Sequence, residues 1–288
     1  MLSITKLSLK DKLPLTCSRT GTCCHGKDVN LNPWELAKLA EAKKLSSRKF
    51  RDQYTLYGGI RLAFEGKPGW KDLPECSQYI TDFGCSVHTG RPLACRLYPL
   101  GRQRQSETIT YIHEGEEFPC LEGCPEVVEL PRLSVEEYIA DQKAELFIQA
   151  EDQYLELMQS LADVAFTLLL DTGLATSGDT KTLKQWQKLG NTTPAEMAEF
   201  LGTEWINRLL LPNLNNHLND PQEFAAQHYN QLQEKVQEVC NVLDNADSIS
   251  ATSSLMMALA LHLGRGLGAD PADLAAHWIK VARDNGAF

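Results

Sequence analysis

The spacing of apolar residues predicts that the second half of the chain is helical. Apolar side chains recur three and four residues apart along one face of the segment 155–168, which is the period of an α-helix. Similar segments follow to the end of the chain, and no repeat of fixed length stands out. We therefore expect residues 133–288 to form an α-helical bundle of about five to seven helices.

Polar residues mark where these helices begin. Ser134 and Glu137 have the Ser-x-x-Glu spacing of a capping box. Three later starts combine a capping side chain, a proline at the first helical position and an acid near the positive end of the helix dipole. They are Thr193-Pro194 with Glu196, Asp220-Pro221 with Glu223, and Asp270-Pro271 with Asp273. Gly286 is expected to end the last helix.

The pattern of the first half is less regular. Its one clear helix lies in LNPWELAKLAEAKKL, where Asn32 has the position of an N-cap, Pro33 opens the helix and Glu35 can make the reciprocal capping contact. Two segments rich in β-branched and aromatic residues, 57–64 and 107–115, are expected to pair as strands. Glycine and proline punctuate the rest.

These patterns predict a mostly α fold with two domains. The first, residues 1–132, is an irregular, metal-stabilised, cysteine-rich domain with a helix and short strands. The second, residues 133–288, is the α-helical bundle.

Charge is distributed unevenly between the two halves. The net charge of −10 combines 19 Lys/Arg and 16 Asp/Glu in residues 1–132, giving +3, with 9 and 22 in residues 133–288, giving −13. We expect no nucleic-acid partner, because proteins that bind nucleic acids carry clustered positive charge. The hydrophobic fraction of 43% and the charged fraction of 23% are those of an ordinary globular protein.

Cysteine is the residue type that points to chemistry. Eight of the nine cysteines lie in the first half of the chain, and only Cys240 lies in the second, where a small buried side chain on a helix is expected. Such crowding indicates a disulfide framework, a zinc site or an iron–sulfur site. The eight are Cys17, Cys23, Cys24, Cys76, Cys85, Cys95, Cys120 and Cys124.

A disulfide framework is the least favoured of the three. The first 17 residues lack the apolar stretch of a secretory signal, and no uninterrupted run approaches the ~18–20 apolar residues of a membrane span. We therefore expect a cytoplasmic protein with no membrane partner, in a compartment where clustered cysteines are metal ligands or catalytic groups. A chain of 288 residues also needs no cross-links to fold.

The spacing of the cysteines favours an iron–sulfur cluster over a single zinc ion. Zinc modules place their ligands in close C-x2–4-C pairs, and only Cys120 and Cys124 come near that spacing. The adjacent pair Cys23-Cys24 fits two irons or two sites better than one small ion, because neighbouring side chains diverge. Cys124 precedes Pro125, as in the Cys-Pro ending of ferredoxin-type runs. Zinc stays the alternative.

Two stretches of sequence resemble a known family. CSRTGTCC is followed by CSQYITDFGCSVHTGRPLACRLYP, whose core is C-x8-C-x5-RP-x2-CR-x-YP. This pattern resembles that of the YkgJ-like cysteine-cluster proteins, which are described as zinc- or iron-chelating and include the flagellin lysine methylases. The resemblance covers about residues 14–125. It implies Cys17, Cys23, Cys24, Cys76, Cys85 and Cys95 as core metal ligands, with Cys120 and Cys124 as additions.

Three residues of this core are candidates for binding the cofactor. Arg91 and Arg96 bracket Cys95, so their guanidinium groups could donate to cluster sulfurs or grip an anionic substrate. Tyr98 is expected to pack over the site. His25 and His88 also lie near the cysteines in sequence, but rings that face solvent are the favoured interpretation, although Cys85-x2-His88 has zinc-ligand spacing.

The resulting hypothesis is a cytosolic metal-binding protein with an N-terminal [4Fe–4S] cluster. The helical half would present the site to a protein partner or substrate. A redox role is one possibility. An alternative, which the resemblance implies, is an enzyme that transfers methyl groups to protein side chains. No C-x3-C-x2-C run, P-loop or dinucleotide-binding loop is present in the sequence.

Overall fold

The computed structural model describes residues 4–15, 17, 21–105, 108–114 and 132–288. Ten α-helices lie in these residues, so the predicted mostly α fold is confirmed there. Three short ones belong to the first half: α1 (Pro33–Lys43), α2 (Ser47–Tyr54) and α3 (Leu93–Leu97). Seven follow in the second half: α4 (Val135–Asp141), α5 (Glu145–Leu170), α6 (Lys181–Gly190), α7 (Pro194–Leu210), α8 (Pro221–Cys240), α9 (Ala246–Gly266) and α10 (Pro271–Asp284).

The strands are short and antiparallel. In chain order they are β1 (Ile4–Leu7), β2 (Lys12–Pro14), β3 (Thr55–Leu56), β4 (Arg61–Leu62), β5 (Tyr79–Ile80), β6 (Gly84–Cys85), β7 (Leu100–Gln105), β8 (Thr108–Glu114) and β9 (Arg132–Ser134). The largest sheet has the order β1-β8-β7. Pairs β2-β9, β3-β4 and β5-β6 form three smaller sheets.

The predicted pairing of 57–64 with 107–115 is wrong. Strand β8, within the second segment, pairs with its chain neighbour β7 and with β1, in a register that places Leu100 opposite His113. In the first segment only β4 is extended, and it pairs with β3 across the tight turn Tyr57–Gly59. Each segment thus pairs with its neighbouring strand along the chain, for which the cost of closing a loop is low. The second partner of β8, strand β1, is distant in the chain.

The predicted helix starts are confirmed. Asn32 and Glu35 form a reciprocal capping box at α1, and Ser134 and Thr193 head the boxes of α4 and α7. The carboxylates of Asp220 and Asp270 accept backbone N–H groups at α8 and α10.

Helix α5 is the central element of the bundle. It packs along α8 and α9 and buries ten of its side chains, among them Tyr154, Leu161 and Leu169. Among the described residues, one segment is both long enough and apolar enough to cross a membrane, by length and composition alone: Glu145–Ser177. A core helix that is apolar on several faces passes the same test.

One hydrophobic core joins the two halves. It contains Leu15, Trp34 and Leu97 from the first half together with the buried faces of the helices of the second. The indole Nε1 of Trp34 donates to the carbonyl oxygen of Leu218 at 3.1 Å, and its ring meets the Phe147 ring edge-on at 4.8 Å. The predicted boundary at residue 132 stays a prediction, and a continuous core crosses it.

A second, smaller hydrophobic cluster lies under α1 and α2. Its buried members include Leu36, Leu39 and Phe50, as well as Cys76. Three further cysteines, Cys24, Cys85 and Cys95, pack against it. The cysteine-bearing segments therefore come together by packing against this hydrophobic cluster.

Candidate metal centre

Cys23 and Cys24 lie in a short 3-10 helix, Thr22–Cys24, that begins after Gly21. Gly21 has a φ of 83°, and a Cβ at this position would lie 2.3 Å from the ring of Tyr79. Only glycine fits both the left-handed backbone and the close approach of the ring. The carbonyl oxygen of Cys24 accepts the N–H of Cys76 at 2.7 Å, which brings the second cysteine segment against the first.

A two-stranded hairpin carries the next cysteines. Strand β5 follows Cys76 and pairs with β6, so that Tyr79 lies opposite Cys85. The backbone N–H of Gln78 donates to the Cys76 sulfur at 3.5 Å. The hairpin thus turns the chain back within eight residues and returns Cys85 to the neighbourhood of Cys76.

Glu35 positions the helix that carries Cys95. One oxygen of this carboxylate accepts the N–H of Asn32 at 3.1 Å, and the other accepts the N–H of Leu93 at 2.7 Å. Glu35 therefore caps α1 and the first turn of α3 together. Burial raises the pKa of Glu35 to about 7. The sequence identified Glu35 as a cap but gave no sign of its contact with Leu93, which is 58 residues away.

Five thiols lie within electrostatic reach of one another. Cys23, Cys76 and Cys85 act on the thiols of both Cys24 and Cys95, in each case raising the pKa. Burial raises the pKa of Cys76 to about 11 and is the main reason that the pKa of Cys95 is well above the usual value. The thiols of Cys24, Cys76 and Cys95 are therefore protonated at neutral pH when no cation compensates their charge.

The thiol of Cys23 behaves differently from those of Cys24, Cys76 and Cys95. Its pKa is lowered to about 7, chiefly because the Cys24 thiol donates a hydrogen bond to it, with Arg91 and Lys27 as nearby positive charges. The same hydrogen bond raises the pKa of Cys24. The adjacent cysteines thus form a thiolate–thiol pair.

The thiols are gathered without being arranged around one ion. Among the described residues, no group of three or more His, Cys, Asp or Glu side chains has the geometry to hold a metal ion. None of the seven described cysteines is in a disulfide. The chemistry of this donor set, soft sulfur ligands on several loops, fits an iron–sulfur cluster or zinc.

Cys17 is linked to this group through His88. Its sulfur lies 3.6 Å from Nε2 of His88, and Nδ1 of the same ring lies 3.0 Å from Nη1 of Arg91. His88 is only partly exposed, and both of its ring nitrogens have partners. His25 is buried, with Nδ1 donating to the carbonyl oxygen of Gly21 at 2.9 Å. The expectation that these two rings simply face solvent is therefore wrong.

Arg91 and Arg96 are buried and connect the cysteine segment to the helical half. Arg91 donates to the side-chain oxygen of Gln142 at 2.5 Å, and Arg96 donates to its backbone carbonyl at 2.6 Å. Arg96 also donates to the carbonyl oxygens of Arg91 and Thr89, at 2.9 and 2.6 Å. We call this arrangement of Arg91, Arg96 and Gln142 the arginine clamp. No sequence signal pointed to Gln142.

The remaining predicted site residues have separate positions. Lys27 lies over the Tyr98 ring at 5.1 Å, and the carbonyl oxygen of Tyr98 accepts the hydroxyl of Tyr138 at 2.8 Å. Cys240 lies at the end of α8 against the core. Cys120 and Cys124 lie outside the described residues.

Comparison with known proteins identifies the cysteine-bearing segment. Residues 16–114 match the model of the CxxCxxCC family, described as a "Putative zinc- or iron-chelating domain". The match covers about a third of the chain, includes Cys17 to Cys95 and ends before Cys120. No curated protein and no solved structure matches the chain significantly. Residues 16–114 therefore match the domain model of this zinc- or iron-chelating family, which confirms the resemblance seen in the sequence.

Proposed function

We propose that the protein binds an iron–sulfur cluster, of the [4Fe–4S] type, through the cysteines of residues 16–114. The observation that carries this proposal is the convergence of five partly or fully buried thiols, from four separate chain segments, within electrostatic reach of one another. The proposed ligands come from Cys17, Cys23, Cys24, Cys76, Cys85 and Cys95, with Cys120 and Cys124 as further candidates.

The number of thiols supports a cluster over a single zinc ion. A structural zinc ion takes four ligands in a tetrahedron, and here five thiols converge before Cys17 is added. Cys23 and Cys24 are adjacent, so they suit different metal atoms better than one. An iron–sulfur cluster is larger and accepts cysteines from several loops.

The surrounding residues suit thiolates. Arg91 and Lys27 place positive charge near Cys23, and the N–H of Gln78 points at the Cys76 sulfur. Hydrogen bonds and positive charge near the ligands favour the thiolate form and tune the potential of a bound cluster. The cluster itself would supply a centre for electron exchange.

A cytoplasmic setting is part of this proposal, because a reducing compartment keeps free thiols available for metal.

Metal and acid-labile sulfide analysis of anaerobically purified protein tests the proposal. We expect brown protein with iron and sulfide in equal amounts and broad absorption near ~400 nm. Cys76→Ser should lose most of the iron. Cys240→Ser is the matched control and should keep it, because Cys240 lies against the helical core. Colourless protein with stoichiometric zinc and no sulfide would contradict the cluster and leave a zinc-binding module.

A further inference from the structure

His88 lies between a cysteine and an arginine. Its Nε2 is 3.6 Å from the sulfur of Cys17, and its Nδ1 is 3.0 Å from Nη1 of Arg91. The two contacts use opposite edges of one ring. Which ring nitrogen carries the hydrogen therefore decides whether His88 donates a hydrogen bond to Cys17 or accepts one from it.

Arg91 settles which nitrogen carries the proton. A guanidinium group is only a donor, so Nδ1 of His88 must accept from Nη1 and cannot carry a hydrogen. The neutral ring then has its hydrogen on Nε2, the nitrogen that faces Cys17. An imidazole that binds metal through Nε2 needs a free lone pair there and normally donates from Nδ1 to an acceptor. Because Arg91 donates to Nδ1, His88 has the reverse arrangement, in which Nδ1 accepts a hydrogen bond and Nε2 carries the hydrogen.

Arg91 is firmly held in this position. It is 8% exposed, and Nη1 also donates to the carbonyl oxygen of His88 at 2.8 Å. Its other terminal nitrogen donates to the side chain of Gln142 at 2.5 Å. The guanidinium cannot turn away to free Nδ1 without breaking the arginine clamp.

We propose that His88 is a hydrogen-bond donor to the Cys17 sulfur and not a metal ligand, and that Arg91 fixes the tautomer that makes it so. This inference rests on the proposed function, in which Cys17 binds metal. His88 and Arg91 are positioning residues. An N–H···S bond withdraws charge from a metal-bound thiolate and holds the Cys17 side chain in place.

Cadmium-113 NMR of protein labelled with nitrogen-15 histidine tests the inference without any assay of activity. Cadmium is a soft ion that thiolates bind, and its spin couples to ligand nitrogens. We expect cadmium resonances shifted by sulfur ligation, no cadmium–nitrogen coupling to His88, and a His88 ring protonated at Nε2. A resolved coupling to His88, or a ring protonated at Nδ1, would overturn the inference.

Three variants separate donation from ligation. His88→Gln keeps an amide N–H for Cys17 and an oxygen for Arg91, so it should keep the cadmium content and affinity of the wild type within about threefold. His88→Phe removes the donor and should keep the cadmium content while weakening its affinity by roughly 10-fold. His277→Gln, on the exposed face of α10, is the matched control and should change neither quantity.

The outcomes distinguish the two proposals. Loss of one bound cadmium in His88→Gln would show that His88 is a ligand and would overturn this inference, while the proposed metal site would stand. Wild-type affinity in His88→Phe would also overturn it. Wild-type protein that binds neither cadmium, zinc nor iron would overturn the proposed function and this inference with it.

Discussion

At the scale of single residues, Cys23 and Cys24 show how neighbours of the same type acquire different chemistry. One thiol donates to the other, so the pKa of Cys23 falls to about 7 while that of Cys24 rises. A thiolate is the nucleophilic and metal-binding form of cysteine. In the metal-free protein, Cys23 is therefore the thiol best prepared to make the first bond.

We predict that Cys23 is the fastest of the described thiols to react with iodoacetamide at pH 7 in metal-free protein. Cys24→Ala removes the donor, raises the pKa of Cys23 and should slow its alkylation several-fold, as measured by mass spectrometry of the peptides. Cys24→Ser retains a hydroxyl donor and is the matched control. Equal rates in the alanine and serine variants would contradict the role of the hydrogen bond.

A second prediction concerns the protons that the other thiols carry. The pKa values of Cys24, Cys76 and Cys95 are raised, so these groups must lose protons when metal binds. The apparent affinity for zinc should therefore rise as the pH increases from 6.5 to 8.5. Calorimetric titration in buffers of different ionisation enthalpy measures the protons released. Release of fewer than about two protons at pH 7 would contradict the prediction.

At the scale of elements, the position of α3 depends on the arginine clamp. Arg96 donates to three backbone carbonyl oxygens and lies 3.8 Å from the centre of the Phe147 ring. A lysine keeps the charge but lacks the planar fork that reaches all three oxygens.

Arg96→Lys should therefore lower the free energy of unfolding by about 2 kcal/mol or more, since buried carbonyl groups lose their donors. Denaturant titration of the metal-free protein measures this change. Arg48→Lys is the matched control, because Arg48 is exposed on α2, and should change the free energy by less than about 0.5 kcal/mol. A similar small change in Arg96→Lys would show that the clamp contributes little.

The elements also show which features the sequence could predict. The starts of α1, α4, α7, α8 and α10 depend on side chains two or three residues from the backbone groups that they bind, so a local pattern predicts them. The composition of a segment shows that it favours a strand but does not show which other segment it pairs with, whether near or distant in the chain. The sequence therefore predicts strands near β4 and β8 but not their partners β3, β7 and β1.

At the scale of the whole molecule, two buried histidines tie the stability of the fold to pH. His228 accepts from the Tyr154 hydroxyl at 3.0 Å and donates to the carbonyl oxygen of Arg208 at 2.8 Å. Nε2 of His262 donates to the carbonyl oxygen of Tyr57 at 3.2 Å. Burial lowers the pKa of each from 6.5 to about 4. Both rings are thus neutral in the folded protein over a range in which the unfolded chain takes up protons.

The stability that each histidine contributes is present above pH 6.5 and is lost as the pH falls towards about 4. A shift of this size corresponds to about 3 kcal/mol per histidine. The raised pKa of Glu35 has the opposite effect on the pH dependence of stability. The stability that it contributes is present below pH 4.5 and is lost as the pH rises to about 7.

A difference between variants isolates the histidine effect. Between pH 6.5 and about 4, the wild type should lose about 3 kcal/mol more stability than His228→Gln. Urea titrations at several pH values measure this, with His277→Gln as the control that follows the wild type. Parallel curves for wild type and His228→Gln would contradict the prediction.

The cysteines of the candidate site can be found from the sequence, whereas the residues that support them cannot. The positions of Cys17 to Cys95 and the RP-x2-CR motif stand out in the sequence, since cysteines clustered in this way are typical of metal sites and disulfide frameworks. The partners of the two arginines do not stand out in the sequence. Gln142 is 51 residues from Arg91 and resembles any polar residue near a helix end. Only the folded chain shows that residues expected to contact the cofactor hold the two halves together.

The arginine clamp also has a consequence for the order in which the site is completed during synthesis. The cysteines from Cys17 to Cys95 leave the ribosome before Gln142 and Phe147, the two residues of the helical half that fix Arg96. Until those residues emerge, the guanidinium of Arg96 has only local carbonyl groups as partners. The final placement of Cys95, next to it in the chain, therefore waits for the beginning of the helical half to be made.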